Sequence, residues 1–191
     1  MRKGQLWILV SILLLVIIII TVLKPFTLSF KRNEVVADKI GKPFIELSLI
    51  DTTAAGQTID FNQAALTIVD FWFGDCPGCL DEMKDFSRLL KKHNDSVQIV
   101  SVSINSLANW KSLFYSDLKR YHFLKTSNSN WKHYTLKSNE NPRLRNDIPT
   151  DNHDFIRTHF NTHTFPVYFV INREGVVVET PASAVDYLRS L

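Results

Sequence analysis

The only two cysteines of the chain stand two residues apart, in Cys76-Pro77-Gly78-Cys79. Before them runs Leu66-Thr67-Ile68-Val69-Asp70-Phe71-Trp72-Phe73, which reads as a largely buried strand. After them, Leu80, Met83, Phe86, Leu89 and Leu90 recur at spacings of three and four, which gives a helix one apolar face. Pro77 suits the first helical position, where no amide hydrogen is needed. The spacing therefore predicts a dithiol at a strand-to-helix turn, where a helix N-terminus favours a thiolate. With no other cysteine in 191 residues, thiol chemistry has one place to happen.

A second feature bounds the organisation. Leu6 to Leu23 carries no charge over 18 residues, and Ser11 and Thr21 are its only polar members. A helix of that length spans about 27 Å, close to the hydrocarbon thickness of a bilayer. The exit, Thr21-Val22-Leu23-Lys24-Pro25-Phe26, lacks a small-residue cleavage site, so an uncleaved signal anchor is preferred to a cleaved signal peptide. The expected order is a tail over 1–5, a transmembrane helix over 6–23, a tether over 24–39 and one domain over 40–191. The last part holds roughly 150 residues, enough for a proper core. Arg2 and Lys3 lie on one side of the apolar run and Lys24, Lys31, Arg32, Lys39 and Lys42 on the other, so the positive-inside count leaves orientation open. The net charge of +3 is mild and its basic residues form no stripe, which argues against nucleic acid as a partner.

Within the domain, Phe44 to Leu49 alternates as a strand does, Ala54 to Gln57 reads as a turn and Thr58 to Phe61 as a short strand. Val97 to Ile104 is expected to be a central strand. Ser106 is expected to cap a helix whose face is Trp110, Leu113, Phe114 and Tyr121. A strand over Trp131 to Leu136, a loop over Asn139 to Thr150 and a short helix from Asp151 or Asn152 to Phe160 follow. Val167 to Ile171 and Val176 to Val178 form a hairpin across Asn172-Arg173-Glu174-Gly175, and Ala182 to Leu191 closes as a helix. Strands alternating with helices indicate an α/β layer fold around a mixed sheet.

Val69-Asp70-Phe71-Trp72-Phe73-Gly74-Asp75-Cys76-Pro77-Gly78-Cys79 resembles the active-site segment of thioredoxin-fold proteins, and in detail the membrane-anchored TlpA/ResA group of thiol–disulfide oxidoreductases. Gly41-Lys42-Pro43 resembles the start of that group's N-terminal hairpin, and Phe160 to Gly175, with Phe165-Pro166, its cis-proline strand. The resemblance implies a thioredoxin-like three-layer α/β/α domain. It also implies a periplasmic-side, extracytoplasmic location on the inner membrane, protein thiol and disulfide substrates such as apocytochrome c, and a membrane-embedded thiol donor of electrons. No soluble cofactor and no metal are required.

By the same resemblance, Cys76 is the attacking thiolate and Cys79 resolves the mixed disulfide. Asp70 matches the buried acid beneath the active site of thioredoxins, which the TlpA/ResA group often lacks, and its raised pKa lets it take the resolving thiol's proton. Phe165 and Pro166 present backbone to a bound substrate chain. Three features depart from the family. Asp75 stands where many relatives have Trp and is expected to raise the Cys76 pKa. The Pro-Gly order is unusual for the group, and 107–150 is longer than in many relatives, reading as a surface insertion or a partner-selecting segment. Direction of electron flow stays open. The alternative is a copper chaperone using Cys76, Cys79 and His163, although the spacing typical of such relatives, with three residues between the cysteines, is absent. A peroxiredoxin reading lacks its Thr, replaced by Phe73. His93, His122, His133 and His153 are assigned to surface or loops, and Asp81, Glu82 and Lys84 to a solvated helix face.

Overall fold

The computed structural model describes residues 36–126, 128–139 and 147–191. The expected membrane helix over 6–23, most of the tether and residues 140–146 of the expected loop lie outside the described residues. Among the described residues no helix is long and apolar enough to cross a membrane.

Seven strands form one sheet: β1 (Leu49–Ile50), β2 (Gly56–Gln57), β3 (Leu66–Trp72), β4 (Val97–Ser103), β5 (Trp131–Leu136), β6 (Val167–Asn172) and β7 (Val177–Glu179), in the order β2-β1-β5-β4-β3-β6-β7. β3, β4 and β5 run parallel, and the outer strands pair antiparallel. β4 is buried along its whole length and β3 at all but its first residue, as expected of parallel strands covered on both faces. Helix α1 (Pro77–His93) joins β3 to β4, and α2 (Leu107–Tyr115) with a 3-10 segment over Lys119–Lys125 joins β4 to β5. Helix α3 (Thr150–Phe160) precedes β6, and α4 (Ala184–Ser190) closes the chain. The segment after residue 106 thus supplies an interior strand of the sheet rather than a surface insertion alone.

Two cores make the layers. On one face Leu80, Met83, Phe86, Leu89 and Leu90 of α1 pack with Trp110 of α2, Leu188 of α4, and Ile68 and Ile99 of the sheet. On the other, Ile156 and Phe160 of α3 pack with Phe71, Val100 and Phe169, and Val36 already lies in this core. The result is a thioredoxin-like α/β fold with a mixed sheet.

Several elements differ from expectation, each for a local reason. Residues 44–48 lie outside the ladder, which begins only at Leu49. The turn comes earlier than the glycine suggested, because Asp51 accepts hydrogen bonds from the Thr53 and Ala55 amides at 2.7 and 3.1 Å and from Gln57 Nε2 at 2.7 Å. Residues 58–60 are consequently past the short β2, and Asp60 instead caps a 3-10 turn over Phe61–Gln63. Ser106 does cap α2, accepting from Asn109 N at 3.3 Å, but the helix stops at Tyr115. Tyr121 is therefore buried from the 3-10 segment rather than from the helix face.

Two polar residues lie elsewhere than their sequence context suggests. Glu82 is not on a solvated face: its Oε2 accepts from the Ala184 and Val185 amides at 2.9 and 3.3 Å, holding the first turn of α4 against α1. His133 is not on the surface but on β5, with its ring 4.6 Å from the Trp131 ring and 5.6 Å from that of Phe114. Both of its ring nitrogens are shut off from water without a hydrogen-bond partner. Burial pushes its pKa down from 6.5 to about 3.

The unfolded chain therefore binds a proton at His133 that the folded chain refuses between these values, and the associated stability is lost as pH falls from 6.5 toward 3. His133→Phe is expected to show a smaller drop in urea midpoint between pH 7 and pH 4, by roughly 1 kcal/mol or more of unfolding free energy. An identical drop in both proteins would show that the ring ionises freely in the fold.

Candidate active site

β3 ends at Trp72, and the Cys76 amide donates to the Phe73 carbonyl at 3.0 Å, which turns the chain into α1. Pro77 is the first helical residue, as its missing amide hydrogen permits. Cys76 occupies the cap position, and the Cys79 amide donates to its sulfur at 3.2 Å. The two sulfurs are joined in a disulfide of 2.07 Å, with Cα atoms 5.3 Å apart. Cys76 is 4% exposed and Cys79 fully buried, so a partner thiol reaches Cys76 first.

The loop ahead of the disulfide is held by Asn105, Tyr121 and Arg120, to which the sequence alone assigned no part in the site. Gly74 N donates to Asn105 Oδ1 at 2.8 Å, and Tyr121 Oη donates to the Gly74 carbonyl at 3.1 Å. Arg120 pairs with Asp75 at 3.2 Å and lies 4.7 Å over the Tyr121 ring. Asp75 was expected to oppose the thiolate at Cys76. Its carboxylate pairs with the guanidinium, in a half-exposed pair of modest strength. Gly74, Asp75, Arg120 and Tyr121 line a cavity of about 370 Å³ that also takes in Leu113 and Leu118.

The Phe165–Pro166 peptide bond is cis, as the resemblance implied. Pro166 packs against the dithiol turn: a Cβ placed on Gly78 would lie 3.7 Å from Pro166 Cδ. Phe165 is half-buried, edge-on to Phe73 at 5.4 Å. The β3–β6 register explains the proximity, since Phe71 near the end of β3 is opposite Val167 at the start of β6.

Asp70 is fully buried on β3. Its Oδ2 accepts from Ser101 Oγ at 2.9 Å, and Ser101 Oγ in turn accepts from Trp131 Nε1 at 2.9 Å. Burial pushes the Asp70 pKa up from 3.8 to about 8; the Ser101 hydrogen bond pulls against this and the Glu82 charge adds to it. In the disulfide form the carboxyl therefore holds a proton at neutral pH. Ser101 breaks the apolar face that Val97 and Ile99 begin on buried β4, and that break was the signal available in the sequence.

His163, which copper binding would require beside the thiols, is exposed, with its ring 5.7 Å from that of His153. Among the described residues no group of three His, Cys, Asp or Glu side chains is placed to hold a metal ion.

Because folded Asp70 keeps a proton that the unfolded chain releases near pH 4, stability declines as pH rises from about 4 to about 8. Asp70→Asn is expected to raise the stability of the oxidised protein at pH 9 by several kcal/mol, at about 1.4 kcal/mol per unit of pKa shift, and to change it little at pH 4. Denaturant midpoints at the two pH values measure this. An equal effect at both would show that burial does not set the proton.

Comparison with known proteins agrees with this geometry. No match is found among curated proteins. The fold is similar to the solution structure of a thiol:disulfide interchange protein from Bacteroides sp., at 18% identity and a TM-score of 0.58, covering 79% of this chain and 86% of that one. It is also similar to the thioredoxin domain of a thiol-disulfide oxidoreductase from Bacteroides vulgatus, at 16% identity and a TM-score of 0.55, covering 79% and 94%. A 2-Cys peroxiredoxin from Plasmodium vivax aligns at 15% identity and a TM-score of 0.52, covering 80% and 79%. The AhpC/TSA family model matches residues 40–180. That match, with a disulfide at the strand-to-helix turn of this fold, marks a thioredoxin-like oxidoreductase. The chain belongs to the AhpC/TSA family.

Proposed function

We propose that the protein is a membrane-tethered thiol–disulfide oxidoreductase of the TlpA/ResA type. The observation that carries the reading is the Cys76–Cys79 disulfide at the head of α1, with Pro166 against its turn and Asp70 buried in the sheet. In the reduced protein, amides at the start of α1 favour the Cys76 thiolate, which attacks a substrate disulfide. Cys79 then displaces the substrate from Cys76, and Asp70 in its ionised form, a fraction that grows as pH approaches about 8, takes the Cys79 proton. Phe165 offers its backbone to the substrate chain beside Pro166.

Tethering rests on the uncharged run from Leu6 to Leu23. The extracytoplasmic orientation, a membrane-embedded thiol donor and apocytochrome c as a substrate rest on the resemblance to the TlpA/ResA group. A peroxidase reading is disfavoured by Phe73, which stands three residues before Cys76 where a peroxidatic site carries Thr.

Cys76→Ser is expected to abolish insulin disulfide reduction by the full chain, and Cys79→Ser to accumulate a mixed disulfide through Cys76. Turnover that survives in Cys76→Ser would sink the proposal. The direction of electron flow is read from the potential of the pair against glutathione. A value near about −270 mV marks a reductant and one near about −120 mV an oxidant. A reporter fused at the C-terminus is expected to be active only outside the cytoplasm.

A further inference from the structure

Strand register lines up a row of polar residues in the middle of an apolar core. Tyr168 of β6 is opposite Asp70 of β3, Asp70 opposite Ser101 of β4, and Ser101 opposite His133 of β5. Side chains alternate along strands, so this row shares the face of Ile68, Ile99 and Trp131. That is the face on which α1 packs with Cys79 and Met83. We propose that Ser101, braced by Trp131, is the positioning residue of the buried acid: the pair commits Asp70 Oδ2 to accepting a hydrogen bond and leaves Oδ1 as the atom that takes and gives the proton.

The argument is one of donor and acceptor counting. An indole N–H only donates. Trp131 Nε1 lies 2.9 Å from Ser101 Oγ, so the hydroxyl receives there. A hydroxyl has a single proton to give, and its remaining partner is Asp70 Oδ2 at 2.9 Å. Oδ2 is thereby occupied in either protonation state, and a proton on the carboxyl resides on Oδ1. Oδ1 is buried and has no hydrogen-bond partner. The ionisable groups on the surrounding elements are Glu82, Cys76 and Cys79 from α1, His133 from β5 and Tyr168 from β6. His133 is neutral above about pH 3, and the cysteines carry no charge while oxidised, so Glu82 is the charge that bears on Asp70.

The inference rests on the reading of Asp70 as the acceptor of the Cys79 proton. In that step the Cys79 sulfur attacks Cys76 of the mixed disulfide, the Cys76–Cys79 bond forms and the bond from Cys76 to the substrate sulfur breaks. The substrate sulfur leaves with the electron pair as a thiolate. The dithiol loses two electrons, the substrate disulfide gains them, and the Cys79 proton moves to Oδ1 of an Asp70 that entered the step ionised.

The test is the pH profile of insulin reduction by the full chain in Asp70→Asn, Ser101→Ala, Ser101→Thr and Trp131→Phe. Asp70→Asn is expected to remove the limb due to the acid. Ser101→Ala is expected to move the limb up by about one pH unit, since a hydrogen bond to the charged carboxylate is lost. Ser101→Thr keeps the hydroxyl and is expected to retain the wild-type profile, and Trp131→Phe to shift it upward by less than Ser101→Ala. A carbon-13 titration of the Asp70 carboxyl in the oxidised chain reads the same shifts without turnover. If Asp70→Asn removes the limb while Ser101→Ala and Trp131→Phe leave it in place, the positioning role is overturned and the acid survives. If Asp70→Asn keeps the limb, the acid reading falls, and this inference with it.

Discussion

The antiparallel pairing of β6 on β3 is the constraint from which the site follows. β3 sits in the sheet with a parallel neighbour on one edge and β6 on the other. Its C-terminal end releases the chain into the dithiol turn. The reversed direction of β6 means that its N-terminal end, carrying Phe165 and Pro166, arrives at the same edge of the sheet. Two segments about ninety residues apart in sequence therefore meet without any loop having to reach. Every other contribution is built on that edge: Asn105 just past β4 holds Gly74, and Tyr121 holds it from the other side.

The disulfide turn, the helix behind it and the cis-proline strand were legible because each depends on local chemistry. Pro77 declares a helix start, the apolar spacing of α1 declares its face, and Asn172 to Gly175 declares a hairpin. Less legible was whatever depended on partners distant in sequence. His133 and Glu82 look like solvent residues in a linear reading, and only the pairing of β5 with β4 and the docking of α4 on α1 draw them partly out of solvent. The hairpin near Asp51 was misplaced because an aspartate side chain, rather than a glycine, makes the turn. The site residues Arg120 and Trp131 had no motif to announce them, since their roles come from one salt bridge and one indole hydrogen bond made across the fold.

The site also shows two carboxylates handled in opposite ways. Asp75 is exposed and paired with Arg120, so its charge is shared with a cation and with water. Asp70 has neither, and burial rather than a neighbour decides that it keeps its proton. The same residue type serves as a screened surface charge on one side of the disulfide and as a neutral acid in the sheet.

Glu82 carries a consequence of another kind. Its carboxylate holds the first turn of α4 through two amides, and its charge is among those that raise Asp70. Coupling free energies are reciprocal. Docking α4 fixes the Glu82 charge where it opposes ionisation of Asp70, so ionising Asp70 must weaken that docking by as much as the docking disfavours the ionisation. The last helix of the chain is in this way a thermodynamic partner of the buried acid. The proton on the buried acid and the hold on the C-terminal helix are linked through one carboxylate.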